Sequence, residues 1–428
     1  MVRLRGSHKV TRPAFQREID LFMQRLPATL VAALALSPAM AAFTPLRAQS
    51  SAPDYLVYVA SEAVDQVALV RWSPRTGQTT VERRMTVGLN PVDLDGPHGV
   101  AMSPDGKFLY VTTAHGTPYG YLWKYDAATG RELGHVELGM FPATVQVTPD
   151  GSFAYLVNFN LHGDMVPSSV SVVGTDDMVE VARVQTCTMP HGSRLNPQGT
   201  LQYSACMMDD AVVEIDTRTQ EVSRRFYLEK GKEHGETGPF PAAAGHDMAA
   251  MSGMSDMDHG APSKDMAGRD VHGTMPTMKP PVCSPTWVQP SSDGSRIWVA
   301  CNKSNEIVEI DVAKWTMTRR IPAGEGVYNM AVSHDGKWLL TTNKKGKSVS
   351  IIDAASGTEA VKVATQRRFP SGLTVSPDNR YAFIAVEGYG AEPGTVEIID
   401  LASKTRVGSV DVGQQAGGID FWRTDNKP

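Results

Sequence analysis

The stretch Ser103-Pro104-Asp105-Gly106-Lys107-Phe108-Leu109-Tyr110-Val111-Thr112 decides the fold: a tight polar turn feeds an aromatic and β-branched strand. The pattern returns about every 40 residues. Its copies are Thr148-Pro149-Asp150-Gly151, Asn196-Pro197-Gln198-Gly199, Ser292-Asp293-Gly294-Ser295, Ser333-His334-Asp335-Gly336 and Ser376-Pro377-Asp378-Asn379. A strand-type unit repeated at this period signifies blades around a ring. The expected fold is all-β, a seven-bladed β-propeller of four-stranded antiparallel blades. Third strands end at Tyr125-Asp126, Ile215-Asp216, Ile310-Asp311, Ile352-Asp353 and Ile399-Asp400, each before a polar turn. Aspartate there bonds its own turn backbone, so these carboxylates read as structural.

The repeat also sets the organisation. Blade 1 takes its strands from Tyr55–Ala60, Gln66–Trp72 and Thr79–Val87 but has no inner strand of its own. The apolar segment Gly417-Gly418-Ile419-Asp420-Phe421-Trp422 supplies one, closing the ring and removing free sheet edges. Blades 1–4 occupy 50–232, and blades 5–7 with the closing strand occupy 282–428. Between them, 233–281 carries no strand alternation and reads as an inserted loop.

A net charge of −5 offers no electrostatic reason to expect nucleic acid as a partner. Residues 1–49 read as a leader and flexible start. Arg25 precedes an apolar run, Leu26 to Leu36, and then the small-residue site Ala39-Met40-Ala41. The run is too short to span a bilayer, so the expectation is cleavage, no membrane span afterwards, and a periplasmic or secreted protein. Met23 is an alternative start.

The insertion carries the strongest chemical signal. Met248, Met251, Met254 and Met257 recur at every third position, flanked by His246 and His259, and Met266, His272, Met275 and Met278 follow. Thioethers suit Cu(I) and imidazoles suit either copper oxidation state, so these ten residues form the expected metal set. Glycines and aspartates in the run argue against a buried methionine helix, and an inert, oxidisable linker is the competing reading. The phrase Met257-Asp258-His259-Gly260 resembles the Met- and His-rich stretches of periplasmic copper-resistance proteins.

Two further groups stand out. Cys206 follows Gln198 of its turn by the interval at which Cys301 follows Asp293, while Cys187 and Cys283 precede those turns. Hairpins folded about the turns make Cys187–Cys206 and Cys283–Cys301 disulfide candidates, with buried thiols or a thiolate metal site as alternatives. Pro97-His98-Gly99 and Pro190-His191-Gly192 share one repeat position, where other blades place Ala143, Thr286, Tyr328 and Ser371. That position begins the inner strand, so His98, His191, Thr286, Tyr328 and Ser371 should ring a channel mouth. There two histidines either serve metal or acid–base chemistry or simply bond backbone. Met140, Met189, Arg194, His115, His162 and Met207 are candidates to join them, and Lys344, Lys345 and Lys347 read as a solvated turn.

Tyr110-Val111-Thr112-Thr113 and Tyr155-Leu156-Val157-Asn158, with Leu340-Thr341-Thr342-Asn343 as a looser copy, resemble the signature strand of the YVTN-repeat, YncE-like propellers. The resemblance covers roughly 55–425 apart from the insertion, and implies a bacterial exported propeller whose relatives include binding proteins, enzymes and scaffolds. No catalytic set transfers from it. Cys187-Thr188-Met189-Pro190-His191 lacks the spacing of a haem-attachment motif. The leading expectation is an exported, non-enzymatic propeller that binds copper or another soft metal ion. The alternatives are an oxidoreductase or hydrolase working at the channel mouth, and an interaction scaffold for another periplasmic protein.

Overall fold

The computed structural model describes residues 52–89, 92–115, 119–241 and 279–425. Seven antiparallel sheets form the blades of a propeller, each running outward from an inner strand at the channel. The inner strands are Pro97–Met102, Pro142–Val147, Pro190–Leu195, Pro285–Pro290, Val327–Val332, Pro370–Val375 and Ala416–Asp425. The last belongs to blade 1, where it pairs antiparallel with Asp54–Ser61, so the first and last described strands share one sheet and the ring closes. The leader region lies outside the described residues. Among those described, no helix is long and apolar enough to cross a membrane.

Second strands such as Phe108–Thr113 and Tyr381–Val386 are buried along nearly their whole length, because both faces pack against neighbouring blades. Blade 1 shows the alternation. Tyr55, Val57 and Val59 pack toward blade 7 with Tyr381 and Phe383, while Leu56 and Tyr58 pack toward blade 2 with Leu109 and Val111. Each buried side chain of this size contributes roughly 1.5–3 kcal/mol. Stability is therefore spread over seven inter-blade cores rather than gathered in one.

The polar turns behave as their residues dictate. Asp105 accepts hydrogen bonds from the Ser103 hydroxyl and the Lys107 amide, and these hold its carboxyl down at about 2. Gly106 sits at φ 70°, and Asn379 takes the same left-handed place in the last turn at φ 59°. Asp126, Asp311, Asp353 and Asp400 each accept turn amides.

Blade 4 differs from the sequence expectation in one respect. His234–Thr237, which falls within the segment read as an insertion without strands, forms a fifth strand on the outer edge against Glu221–Tyr227. Arg225 stabilises the excursion by donating to the carbonyls of Thr237, Gly238 and Pro239. The chain is described again from Lys279. All ten residues of the expected metal set, His246 to Met278, lie outside the described residues.

Candidate functional site

All seven inner strands carry a register irregularity at their start, as between Pro97 and Val100 or between Pro190 and Ser193. A bulge re-aims the side chain it carries. Here it turns His98 and His191 out of the strand's alternation toward one mouth of the channel. The glycine that follows is a matter of space: a Cβ on Gly99 would stand 2.4 Å from the Ala143 carbonyl oxygen, and one on Gly192 would stand 2.3 Å from that of Thr286.

Those carbonyls belong to the equivalent position of the next blade, and they also hold the histidines. His98 Nδ1 lies 3.1 Å from Ala143 O, and His191 Nδ1 lies 2.9 Å from Thr286 O. A carbonyl only accepts, so each Nδ1 carries a proton, and the neutral His191 ring presents Nε2 as a lone pair. The two rings stand 6.1 Å apart, nearly perpendicular.

A second ring encloses the first. The residue just past each second strand donates its amide to the residue just before each inner strand, with bonds of 2.8 to 3.3 Å repeated in every blade. The donors are Glu62, Ala114, Phe159, Met207, Asn302, Lys344 and Glu387. Most of the acceptors are non-glycine residues at positive φ, among them Phe141, Met189 and Phe369. This backbone crown brings the charges Glu62, Lys344 and Glu387 to the mouth.

Three paired groups result. Tyr328 donates its hydroxyl to His191 Nε2 at 3.0 Å. Lys344 lies 4.3 Å from the centre of the Tyr328 ring and bonds Glu387 at 2.6 Å. His115 pairs with Glu62 through Nε2 and with His162 at 3.1 Å through Nδ1. Burial, reinforced by the His98 charge, pushes the His191 imidazole down to about 3. It pushes the Tyr328 phenol up, against the pull of Lys344. Burial alone would lower Lys344, but Tyr328 and Glu387 outweigh it and the ammonium is held. The Glu62 bond raises His115 against burial. In Glu62, burial raises the carboxyl, but His115, His98 and Lys344 bring it below the usual range. The mouth thus contains a neutral His191–Tyr328 pair between two ion pairs.

Beside these groups lies an apolar patch of Phe141, Phe159 and Met189, on which Met140, Met207 and Met208 pack. His98, His115 and His162 stand edge-on to Phe141, and His191 edge-on to Phe159. The sequence candidates Met140, Met189, Met207, His115 and His162 therefore converge with His98, His191 and Tyr328. Ser371 also lines the mouth.

Thr286 offers its carbonyl only, since its hydroxyl donates to Tyr328 O at 2.8 Å. Arg194 lies three residues farther along its strand, at the inner end of the mouth pocket, and also lines the wider cavity beyond it. Lys344 is no solvated turn residue. It, Glu62 and Glu387 went unrecognised in the sequence, although each directly follows a second strand. Among the described residues no three His, Cys, Asp or Glu side chains converge to hold a metal ion.

The rim is reinforced at blades 4 and 5. Disulfides join Cys187 to Cys206 and Cys283 to Cys301, and no cysteine among the described residues is free. Beyond Cys206, the Asp210 carboxylate accepts the amides of Val282, Cys283 and Ser284 at 2.5, 3.0 and 2.7 Å. The chain returning from the Met/His-rich segment is thereby clasped to the turn that carries Met207 and Met208.

Comparison with known proteins identifies the fold and nothing finer. No family model and no curated protein matches the chain. Among solved structures it is similar to a hydrazine synthase chain of Kuenenia stuttgartiensis, at 22% identity and a TM-score of 0.52, covering 72% of this chain and 78% of that one. It is also similar to a "putative 6-phosphogluconolactonase" of Bacteroides fragilis, at 14% identity and a TM-score of 0.59, covering 87% and 99%. A functionally unknown protein of Desulfotomaculum acetoxidans matches at 14% identity and a TM-score of 0.58, covering 87% and 100%. All are propeller relatives by shape.

Proposed function

We propose that this chain is an exported, YVTN-type propeller that captures a soft metal ion, copper foremost, through the Met/His-rich segment tethered to the rim of its histidine-bearing mouth. The observation that carries the reading is the Asp210 clasp, which ties the returning end of that segment beside Met207 and Met208. Thioethers and imidazoles favour Cu(I) on both sides of the tether. The test is competition for Cu(I) against a chromogenic chelator, using the mature protein. Replacing Met248, Met251, Met254 and Met257 together with leucine should weaken binding at least tenfold. Unchanged affinity and stoichiometry would remove the reading.

One arrangement favours a second reading, acid–base catalysis at the mouth. His191 is a buried, neutral acceptor already bonded to a hydroxyl, and Tyr328 lies beside a held ammonium. A hydrolase or oxidoreductase working there would lose turnover in Tyr328→Phe while retaining copper binding by the segment. Equal turnover by the variant would leave this pair a structural one.

A further inference from the structure

At the third step beyond the mouth position, the seven inner strands present Ala101, Gln146, Arg194, Gln289, Ala331, Thr374 and Asp420. Arg194 stands between two spaces: a mouth pocket of about 40 Å³ that it shares with His98, His191 and Tyr328, and a cavity of about 490 Å³ that opens among the Pro-Asp-Gly-type turns and is lined by the rest of this ring. That volume lies within the range of small-molecule sites.

The ring is chemically unbalanced. Arg194 is its one cation, stacked 4.4 Å from the centre of Trp287, with Nη1 bonded to the Ser193 carbonyl at 3.0 Å. Among the described residues it makes no ion pair. Asp420 does not answer it directly: its carboxylate oxygens accept the amides of Met102 and Phe421, each at 2.8 Å, and the Thr374 hydroxyl. Burial pushes the guanidinium down to about 10, partly offset by the Asp420 charge, so it stays protonated at neutral pH. A half-buried cation with an unused donor edge is costly unless an anion completes it, and the planar fork of arginine matches a carboxylate.

The neighbours supply complementary groups. Gln146 spends its carbonyl oxygen on the Leu195 amide at 2.6 Å, so its NH₂ remains a donor. Gln289 spends its nitrogen on the Pro290 carbonyl at 3.0 Å, so its oxygen remains an acceptor. Asp420 retains lone pairs for a hydroxyl proton.

We infer that the wide end of the channel binds a small hydroxylated carboxylate, with Arg194 gripping the carboxylate above the Trp287 face and Gln146, Gln289 and Asp420 reading its hydroxyls. The site is independent of the metal reading, and its test is run with a metal chelator present. Calorimetric titration of the mature protein with D-glycerate, glycerol and propionate separates the two halves of the ligand. Glycerate should bind at least tenfold more tightly than either partial probe, Arg194→Gln should lose at least tenfold for glycerate, and Arg194→Lys should recover only part of it. Ala331→Phe, which narrows the cavity from a different inner strand and leaves Arg194 unchanged, should block binding and keeps the test open should the arginine variants fail to fold. Glycerate binding no tighter than glycerol or propionate, or unchanged in Arg194→Gln or in Ala331→Phe, overturns the inference.

Discussion

The two ends of the channel handle polar groups in opposite ways. At the histidine mouth nearly every such group has a partner: His191 with Tyr328, Lys344 with Glu387, and His115 with Glu62 and His162. Two disulfides and the Asp210 clasp brace the same rim. Toward the turn face, Arg194 stands without an ion-paired carboxylate in a cavity roughly twelve times roomier than the mouth pocket. The contrast separates a preorganised rim, whose geometry is set before any ligand arrives, from a pocket whose charge a ligand would balance.

The largest effect expected on that contrast comes from the rim's covalent bracing. The two disulfides close loops of 19 and 18 residues. Replacing either pair with serine should cost about 3 kcal/mol, read as a lowered denaturant midpoint. An equal midpoint in the variants would mean that the crown and clasp hold the rim unaided.

Next comes the buried imidazole. Because burial holds folded His191 near 3, and an unfolded histidine titrates near ~6.5, the unfolded chain takes up its proton first as the pH falls. The residue is neutral to stability above about pH 6.5 and costs about 1.4 kcal/mol per pH unit below it, until the pH approaches the folded value. Between pH 6.5 and 5 the native protein should therefore lose about 2 kcal/mol more than His191→Gln. Parallel stability profiles for the two proteins would contradict a neutral, buried His191.

Lys344→Met should follow at about 1 kcal/mol, discounted for partial exposure of both ends of the ion pair. Lys345→Met, at an exposed neighbour outside the crown, should fall within about 0.5 kcal/mol of the parent. Equal effects would return Lys344 to the solvated turn.

The smallest effect belongs to His115, whose imidazole is raised by Glu62. A raised group stabilises below its unfolded value and loses that contribution as the pH rises through the folded one. His115→Asn should therefore cost a few tenths of a kcal/mol at pH 6, scaled down for its exposure, and about nothing at pH 9. A constant deficit at both pH values would point to packing on Phe141 instead.

Much of this architecture was legible in the residues. Turn chemistry and strand period predict the seven blades, the closing C-terminal strand and the inner-strand position shared by His98, His191 and Tyr328, because those features depend on local backbone preference repeated in register. The outer crown was harder to see. Lys344 sits among lysines that look solvated, and Glu62 and Glu387 look like ordinary surface acids. Their common signal, one residue past each second strand, appears only when the blades are aligned by strand ends.

The sequence by itself determined the ring, its repeat and a soft-donor segment between blades 4 and 5. Only the tertiary structure decided which polar groups meet. The bulge turns the histidines into the mouth, each carbonyl in the next blade sets a tautomer, and closure of the ring brings Asp420 from the last strand into the circle that holds Arg194. Those pairings join residues from separate blades, so no local preference encodes them; they follow from how seven similar sheets are packed around one axis.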